Sequence, residues 1–156
     1  RSSLHLTVAA VLYYHGKFLL VEERDKNTGQ RVLNQPAGHV EPGESVIAAV
    51  ERELYEETGL ALSPCAWLGI SQLNASNGHF YVRLNFVFMP TKLPTHFQPQ
   101  DNDILALHWL SPEQLKAPAL PLRSPLVLHA TEQFFQQSWL PLSAIQLPLA
   151  AYRAVV

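Results

Sequence analysis

From Leu4 to Tyr14 the chain is apolar and rich in β-branched and aromatic residues, breaks at His15-Gly16-Lys17, and resumes from Phe18 to Glu23. Two such runs around a short turn predict a β-hairpin. The polar stretch Arg24 to Arg31, with Asp25, Asn27 and Gly29, predicts a loop leading to Val32-Leu33-Asn34-Gln35-Pro36. Pro36 disfavours helix in the residue before it, so the approach to Gly38 is expected to be extended. The period then changes. Val46, Ile47, Val50 and Leu54 recur at helical spacing, and Gly59 stands where a terminating glycine would. Two more strands are predicted, Ala66 to Leu73 and Phe80 to Met89, around a polar turn at Asn74 to Gly78. In the second, Phe80, Val82, Leu84, Phe86 and Phe88 share one face, while His79, Tyr81, Arg83 and Asn85 share the other.

Thr91 to Asn102 holds prolines and no period and predicts a loop, followed by a strand from Ile104 to Leu110. Ser111-Pro112-Glu113-Gln114 predicts a short helix with Ser111 as N-cap and Gln114 closing a capping box. Ala117 to Leu122 is a connector, and Ser124-Pro125 opens a helix to about Gln136 with Leu126, Val127, Ala130 and Phe134 inward. Beyond Trp139 an extended tail is expected. The mixture of strands and helices places the chain in the α/β class, of the α+β kind. With 156 residues, 47% of them hydrophobic, it suits a single domain over 1–156, with 117–156 a C-terminal helix and tail packed on it.

A net charge of −2 provides no basic field, so neither a polymeric nucleic acid nor an anionic membrane surface is an expected partner. No apolar run approaches the roughly 20 residues that span a bilayer. The lone Cys65 excludes an internal disulfide, fits a reducing cytoplasmic setting, and reads as a small buried hydrophobe. The chain opens on Arg1 rather than methionine, so its start is not read as a native terminus.

The chemistry concentrates in the predicted first helix, where Glu51, Glu53, Glu56 and Glu57 crowd together. At about 100° per residue, Glu53, Glu56 and Glu57 fall on the arc of Val46, Ala49 and Val50, whereas Glu51 points outward with Ala48 and Tyr55. Three anions at the edge of a core-facing stripe lose hydration and repel one another unless a cation joins them. A hard divalent cation with oxygen ligands, Mg²⁺ foremost, is the natural partner. Gly38 and Gly43 permit a tight turn before the helix, with a carbonyl at Ala37 or Gly38 able to face the cation. Glu44 is expected in the first helical turn, and Arg52 to pair with it or with Glu56.

Gly38, Glu44, Arg52-Glu53-Leu54, Glu56-Glu57 and Gly59-Leu60, at these spacings, match the Nudix box at every defining position. The chain therefore resembles a Nudix hydrolase. The resemblance implies an α/β/α sandwich with a mixed sheet and the Nudix loop-helix, and Mg²⁺ or Mn²⁺ held by Glu53, Glu56, Glu57 and Gly38. It also implies attack of water on phosphorus. Glu53 or Glu57 is the expected proton acceptor, Asp103 the best candidate outside the box, and Asp101 a weaker one; Glu44, Arg52 and Gly59 are structural. Because such a sheet is covered on both sides, Tyr81, Arg83 and Asn85 become substrate-contact candidates. His39 is placed to touch phosphate or to serve as a polar loop residue, and the other histidines offer no ligand spacing.

Two further stretches, Asn34-Gln35-Pro36-Ala37-Gly38-His39 and Leu122-Arg123-Ser124-Pro125-Leu126-Val127, together with Arg83, resemble the NudJ-type branch of bacterial phosphatases. That likeness spans Leu4 to Phe135. It implies a small-molecule phosphoanhydride substrate: hydroxymethylpyrimidine pyrophosphate, thiamine pyrophosphate, or nucleoside di- and triphosphates. Arg83 and Arg123 would supply forked donors to phosphate, with Arg123-Ser124 beside a helix N-terminus. Tyr81, Trp67 and Tyr13 are the rings able to stack on a pyrimidine. Other Nudix activities stay open, on oxidised nucleoside triphosphates, ADP-ribose or dinucleotides, as does a non-catalytic Nudix-fold ligand-binding regulator. The assembly is expected to be a monomer or homodimer.

Overall fold

The hairpin at the start of the chain closes through His15 (φ 50°) and Gly16 (φ 81°), two left-handed residues whose twist matches that of the flanking strands. It joins β1 (Leu4–Tyr14) to β2 (Lys17–Arg24). The computed structural model describes residues 3–136, 138–150 and 152–153. The ends of the expected 1–156 domain therefore lie outside the described residues. The other strands are β3 (Arg31–Asn34), β4 (Ala37–His39), β5 (Ala66–Asn74), β6 (Phe80–Phe88) and β7 (Ile104–Leu110). They form a mixed sheet in the order β3-β2-β1-β6-β5, with β4 also on β1 and β7 also on β2. β1 and β6 run parallel, and the other pairs are antiparallel.

Alternation along the strands sends apolar side chains to both faces, and helices cover each. Val8, Ala10, Leu12, Leu84, Phe86 and Phe88 pack with Ala49, Val50 and Leu54 of α1 (Val46–Thr58). On the opposite face Val11, Phe18, Leu20 and Val87 pack with Leu115 of α2 (Pro112–Lys116) and with Val127, Ala130 and Phe134 of α3 (Pro125–Gln136). This is the expected sandwich. The capping box at α2 forms as predicted, with the Ser111 side chain accepting from Gln114 and the Gln114 side chain accepting from Ser111 N–H.

The connector before α3 is pinned to β3: Leu33 N–H donates to Pro121 O at 2.9 Å and Arg123 N–H to Leu33 O at 2.8 Å. The tail lies against β5 through two hydrogen bonds between Trp67 and Leu140, of 2.9 and 2.8 Å. Leu142 and Ile145 then pack on the α1 side of the sheet.

Several expectations change. Glu44 lies outside α1, because Ser45, extended at ψ 149°, is the N-cap and its side chain accepts from Ala48 N–H. Cys65 is exposed, since its neighbours Pro64 and Ala66 take the inward positions. Asn85 is fully buried beneath α3, donating to Ser71 Oγ at 2.9 Å and Gln133 Oε1 at 2.7 Å, and is no substrate contact. Tyr13 stands in a ring cluster with Phe18 and Phe134, and Trp67 packs on the α1-side core, so neither ring is offered to a ligand.

Candidate active site

The loop before α1 and the helix itself are tied together by one guanidinium. Arg52 grips Glu44 with two hydrogen bonds, Nε to Oε2 at 2.7 Å and Nη2 to Oε1 at 3.0 Å. Its Nη1 donates to Glu53 Oε2 at 2.9 Å and Glu56 Oε1 at 3.2 Å, and its Nη2 reaches His39 O at 3.1 Å. Both sequence-expected partners of Arg52 are thus engaged at once. The hydrogen bonds that Arg52 donates hold the Glu44 carboxyl below its ordinary pKa, and the same bonds raise that of Arg52.

Glu53 and Glu57 face inward and are 9% and 8% exposed, as their position on the apolar arc predicts. Burial pushes Glu53 up to about 7 although Arg52 pulls it down. Burial pushes Glu57 up to about 9; the Ala37 N–H, donating to its Oε1 at 3.0 Å, opposes this, and the charges of Glu23, Glu53 and Asp101 reinforce it. Gly38 packs directly on Glu53: a Cβ there would lie 2.6 Å from Glu53 Oε1 and closer still to the rest of the carboxylate.

A cleft of about 1210 Å³ opens above these groups, bordered by Glu57, Gly38, His39, Tyr81, Arg83 and Arg123 among others. Arg83 is 5% exposed on the polar face of β6, and its fork ends on neutral amides, Gln35 Oε1 at 3.1 Å and Asn34 Oδ1 at 2.9 Å. Burial lowers its pKa to about 10, against the opposing pull of Glu23 and Glu57. The far wall carries Asp101 and Asp103. Their loop is hung on the end of α1, where Gln100 and Asp101 N–H both donate to Glu56 O, at 2.8 and 2.9 Å. Left-handed Gly59 (φ 82°) makes room for it, because a Cβ would overlap Gln98 O.

Buried, mutually repelling carboxylates beside an exposed cleft suit a divalent cation with oxygen ligands. Among the described residues no three His, Cys, Asp or Glu side chains already converge on one point, and Arg52 occupies Glu53 and Glu56.

Residues 3–134 match the family described as NUDIX domain. The chain belongs to the Nudix family. It is 38% identical over 142 residues, 90% of each chain, to Phosphatase NudJ of Escherichia coli strain K12. A NUDIX hydrolase from Nitrosomonas europaea superposes with a TM-score of 0.82 at 38% identity, over 91% of this chain and 95% of that one. The NUDIX domain of Shewanella oneidensis NrtR, complexed with ADP ribose, shares the fold at 20% identity, with a TM-score of 0.66 over 85% of this chain and 88% of that one. This protein is accordingly a Nudix hydrolase, an enzyme of phosphoanhydride hydrolysis on small molecules, a family that generally uses divalent metals. Among the described residues no helix is long and apolar enough to cross a membrane.

Within this Nudix cleft the structure gathers Gly38, His39, Glu57, Tyr81, Arg83, Asp103, Arg123 and Ser124 along one lining, with Glu53 beneath Gly38. Glu56 lies on the solvent side, its side chain 47% exposed. Three placements refine the sequence reading. Asp101 and Asp103 both border the cleft, and the charge of Asp101 is among those that raise Glu57. Arg123 is partnered, donating to Glu23 Oε2 at 2.8 Å. The Ser124 side chain accepts from Leu126 N–H at 3.1 Å.

The unforeseen member is Glu23, which also accepts from Asn34 Nδ2 at 3.3 Å. A half-buried charge near the end of a strand carries no local signal of its partners, so only the three-dimensional neighbours reveal it. In keeping with the expected lack of ligand spacing, the histidines form no metal-holding group among the described residues, but three of them make a hydrogen-bonded chain, with His5 Nδ1 2.9 Å from His39 Nε2 and His5 Nε2 2.8 Å from His79 Nδ1. Burial, with His5 beside it, lowers the pKa of the His39 ring.

Proposed function

We propose that this Nudix hydrolase removes phosphate from a small pyrimidine or nucleotide-like diphosphate, such as hydroxymethylpyrimidine pyrophosphate, thiamine pyrophosphate or a nucleoside di- or triphosphate. Mg²⁺ or Mn²⁺ would serve as cofactor. One observation carries the reading: buried Glu57, with its raised pKa, and buried Arg83, with no carboxylate on its fork, border the same cleft. Each is costly to bury alone, and a metal-bound diphosphate between them satisfies both.

Glu53, Glu56, Glu57 and the Gly38 carbonyl would hold the cation, which when bound neutralises phosphate oxygens and lowers the pKa of water. Arg52 orients Glu53 and Glu56 through its hydrogen bonds, acting as a positioning residue with Glu44. Glu53 or Glu57 takes the proton of the attacking water, with Asp103 the acid nearest in role from outside the box. Arg83 presents a fork to the diphosphate, while Arg123 and Ser124 border the outer phosphate end. His39 contributes a hydrogen bond. We read the whole chain as one Nudix domain, and the single cysteine supports a cytoplasmic setting.

Phosphate release from a panel of diphosphates, triphosphates, ADP-ribose and dinucleotides, with products identified by mass, tests this. Turnover that favours pyrimidine diphosphates, needs Mg²⁺ or Mn²⁺ and stops with a chelator is expected. A strong preference for ADP-ribose or an oxidised nucleoside triphosphate would overturn the substrate choice. Ligand binding without any turnover would mark a regulator instead.

A further inference from the structure

Three neighbouring strands bring rings together at the mouth of the cleft. His39 of β4 lies opposite Thr7 of β1, while His5 and Thr7 of β1 lie opposite Tyr81 and Arg83 of β6. His5 stacks on Tyr81 with ring centroids 4.7 Å apart and planes within 19°. His5 is itself fixed in its plane by hydrogen bonds at both nitrogens, to His39 at 2.9 Å and His79 at 2.8 Å, with both of those rings edge-on to it. Tyr81 and His39 border the cleft, whereas His5 and His79 stand behind them. The tyrosine ring is therefore backed on one face by a histidine that cannot readily rotate, has His79 at 6.4 Å and Leu73 as its cross-strand neighbour, and borders the cleft.

Spacing gives this arrangement a direction. Tyr81 and Arg83 share one face of β6 two residues apart, so their backbones are separated by about 7 Å along the strand. A ligand whose phosphates engage Arg83 and whose planar group hangs from them by a short linker carries that group toward Tyr81. A ring held flat in advance costs little to order on binding, which is how preorganised aromatic platforms gain affinity.

We infer that Tyr81, backed by the His39–His5–His79 chain, is a specificity-determining platform that stacks the heteroaromatic ring of the substrate, with His5 as its positioning residue. This rests on the diphosphate reading of the cleft and adds the residues that read the ring attached to it. The platform selects ring-bearing diphosphates over ring-free ones, without touching the reacting phosphorus.

The test compares thiamine diphosphate and uridine diphosphate with ring-free methyl diphosphate, in wild type, Tyr81→Leu, Tyr81→Phe and His5→Ala. KM and kcat are measured, and binding is followed in parallel by calorimetry with the α,β-methylene analogue of uridine diphosphate and with methylenediphosphonate. Tyr81→Leu is expected to weaken the ring-bearing ligands about 10-fold in KM and in binding. The ring-free ligands weaken by a clearly smaller factor, and the change appears in KM more than in kcat. Tyr81→Phe retains the wild-type preference. His5→Ala loses part of it, and unchanged melting temperatures confirm that the fold persists. Equal weakening of both ligand classes, or wild-type affinity of Tyr81→Leu for the ring-bearing analogue, would overturn the inference. The binding arm judges the platform even if none of these compounds is hydrolysed, an outcome that would count against the proposed reaction instead.

Discussion

Replacing Gly38 by alanine sets a single methyl group against the carboxylate of Glu53. The added carbon would overlap Glu53 Oε2 and lie 2.6 Å even from Oε1, and ordinary contact needs about 3.5 Å, so the carboxylate must withdraw by at least about 1 Å. The backbone accepts alanine here, because Gly38 is not among the positive-φ glycines, and the group that yields is the far end of a flexible side chain. Stability should therefore change by no more than about 1 kcal/mol, or a few degrees in melting temperature. The displaced carboxylate also loses its place beside Arg52 Nη1, now 2.9 Å away. A misplacement of about 1 Å costs on the order of 100-fold in rate when the group orients a cation or a water. Turnover of the best substrate at saturating Mg²⁺, measured beside thermal unfolding, checks this. If kcat stays within threefold of wild type while the fold is intact, the position of Glu53 does not matter and the assignment fails. A collapse in melting temperature would show instead that Gly38 serves packing.

Gly59→Ala should do the reverse, since its φ of 82° and the overlap with the Gln98 carbonyl fall on backbone: a loss of about 2–4 kcal/mol in denaturant unfolding is expected, and a neutral result would refute the strain. Glu53 and Glu57, carried in the fold to about 7 and about 9, hold protons that the unfolded chain has already released above its own value near 4.5. Their neutral burial thus stabilises fully below about pH 4.5, and that contribution is lost as pH rises through the folded values, on the order of 1 kcal/mol per pH unit for each group. Metal-free protein should melt lower at pH 8.5 than at pH 6, Mg²⁺ should restore more at pH 8.5, and Glu57→Gln should flatten the profile while losing about 100-fold or more in kcat. A metal-free melting temperature that rises over this range would contradict the burial of these groups. Arg83→Met should raise KM for diphosphates about 10-fold or more, with stability lowered by about 1–3 kcal/mol through the orphaned Asn34 and Gln35 oxygens. An unchanged KM beside a large stability loss would make Arg83 purely structural.

Local pattern alone was enough for most elements and for the box, though not for β4, which reads locally as part of the turn before α1, nor for the helical turn at Leu142–Ala144 in the tail. Helical spacing sets Glu53 and Glu57 on the buried arc of α1, strict alternation along β6 separates Arg83 from Phe86, and the capping box at Ser111 is written within four residues. These signals are legible because their partners lie within one helical turn or one pleat. What converges on the box is decided by pairings that no local stretch encodes. The parallel register of β1 with β6 sets His5 beside Tyr81, and β4 on β1 brings His39 to the same histidine. The strand-like docking of Leu122 against Leu33 delivers Arg123 to Glu23, a hundred residues earlier in the chain. The hydrogen bonds from Gln100 and Asp101 to the end of α1 bring the loop that carries Asp101 and Asp103 to the cleft. The sequence determined by itself the family, the reaction class and the carboxylates; tertiary structure alone decided their neighbours, because burial and charge depend on contacts between segments far apart in the chain.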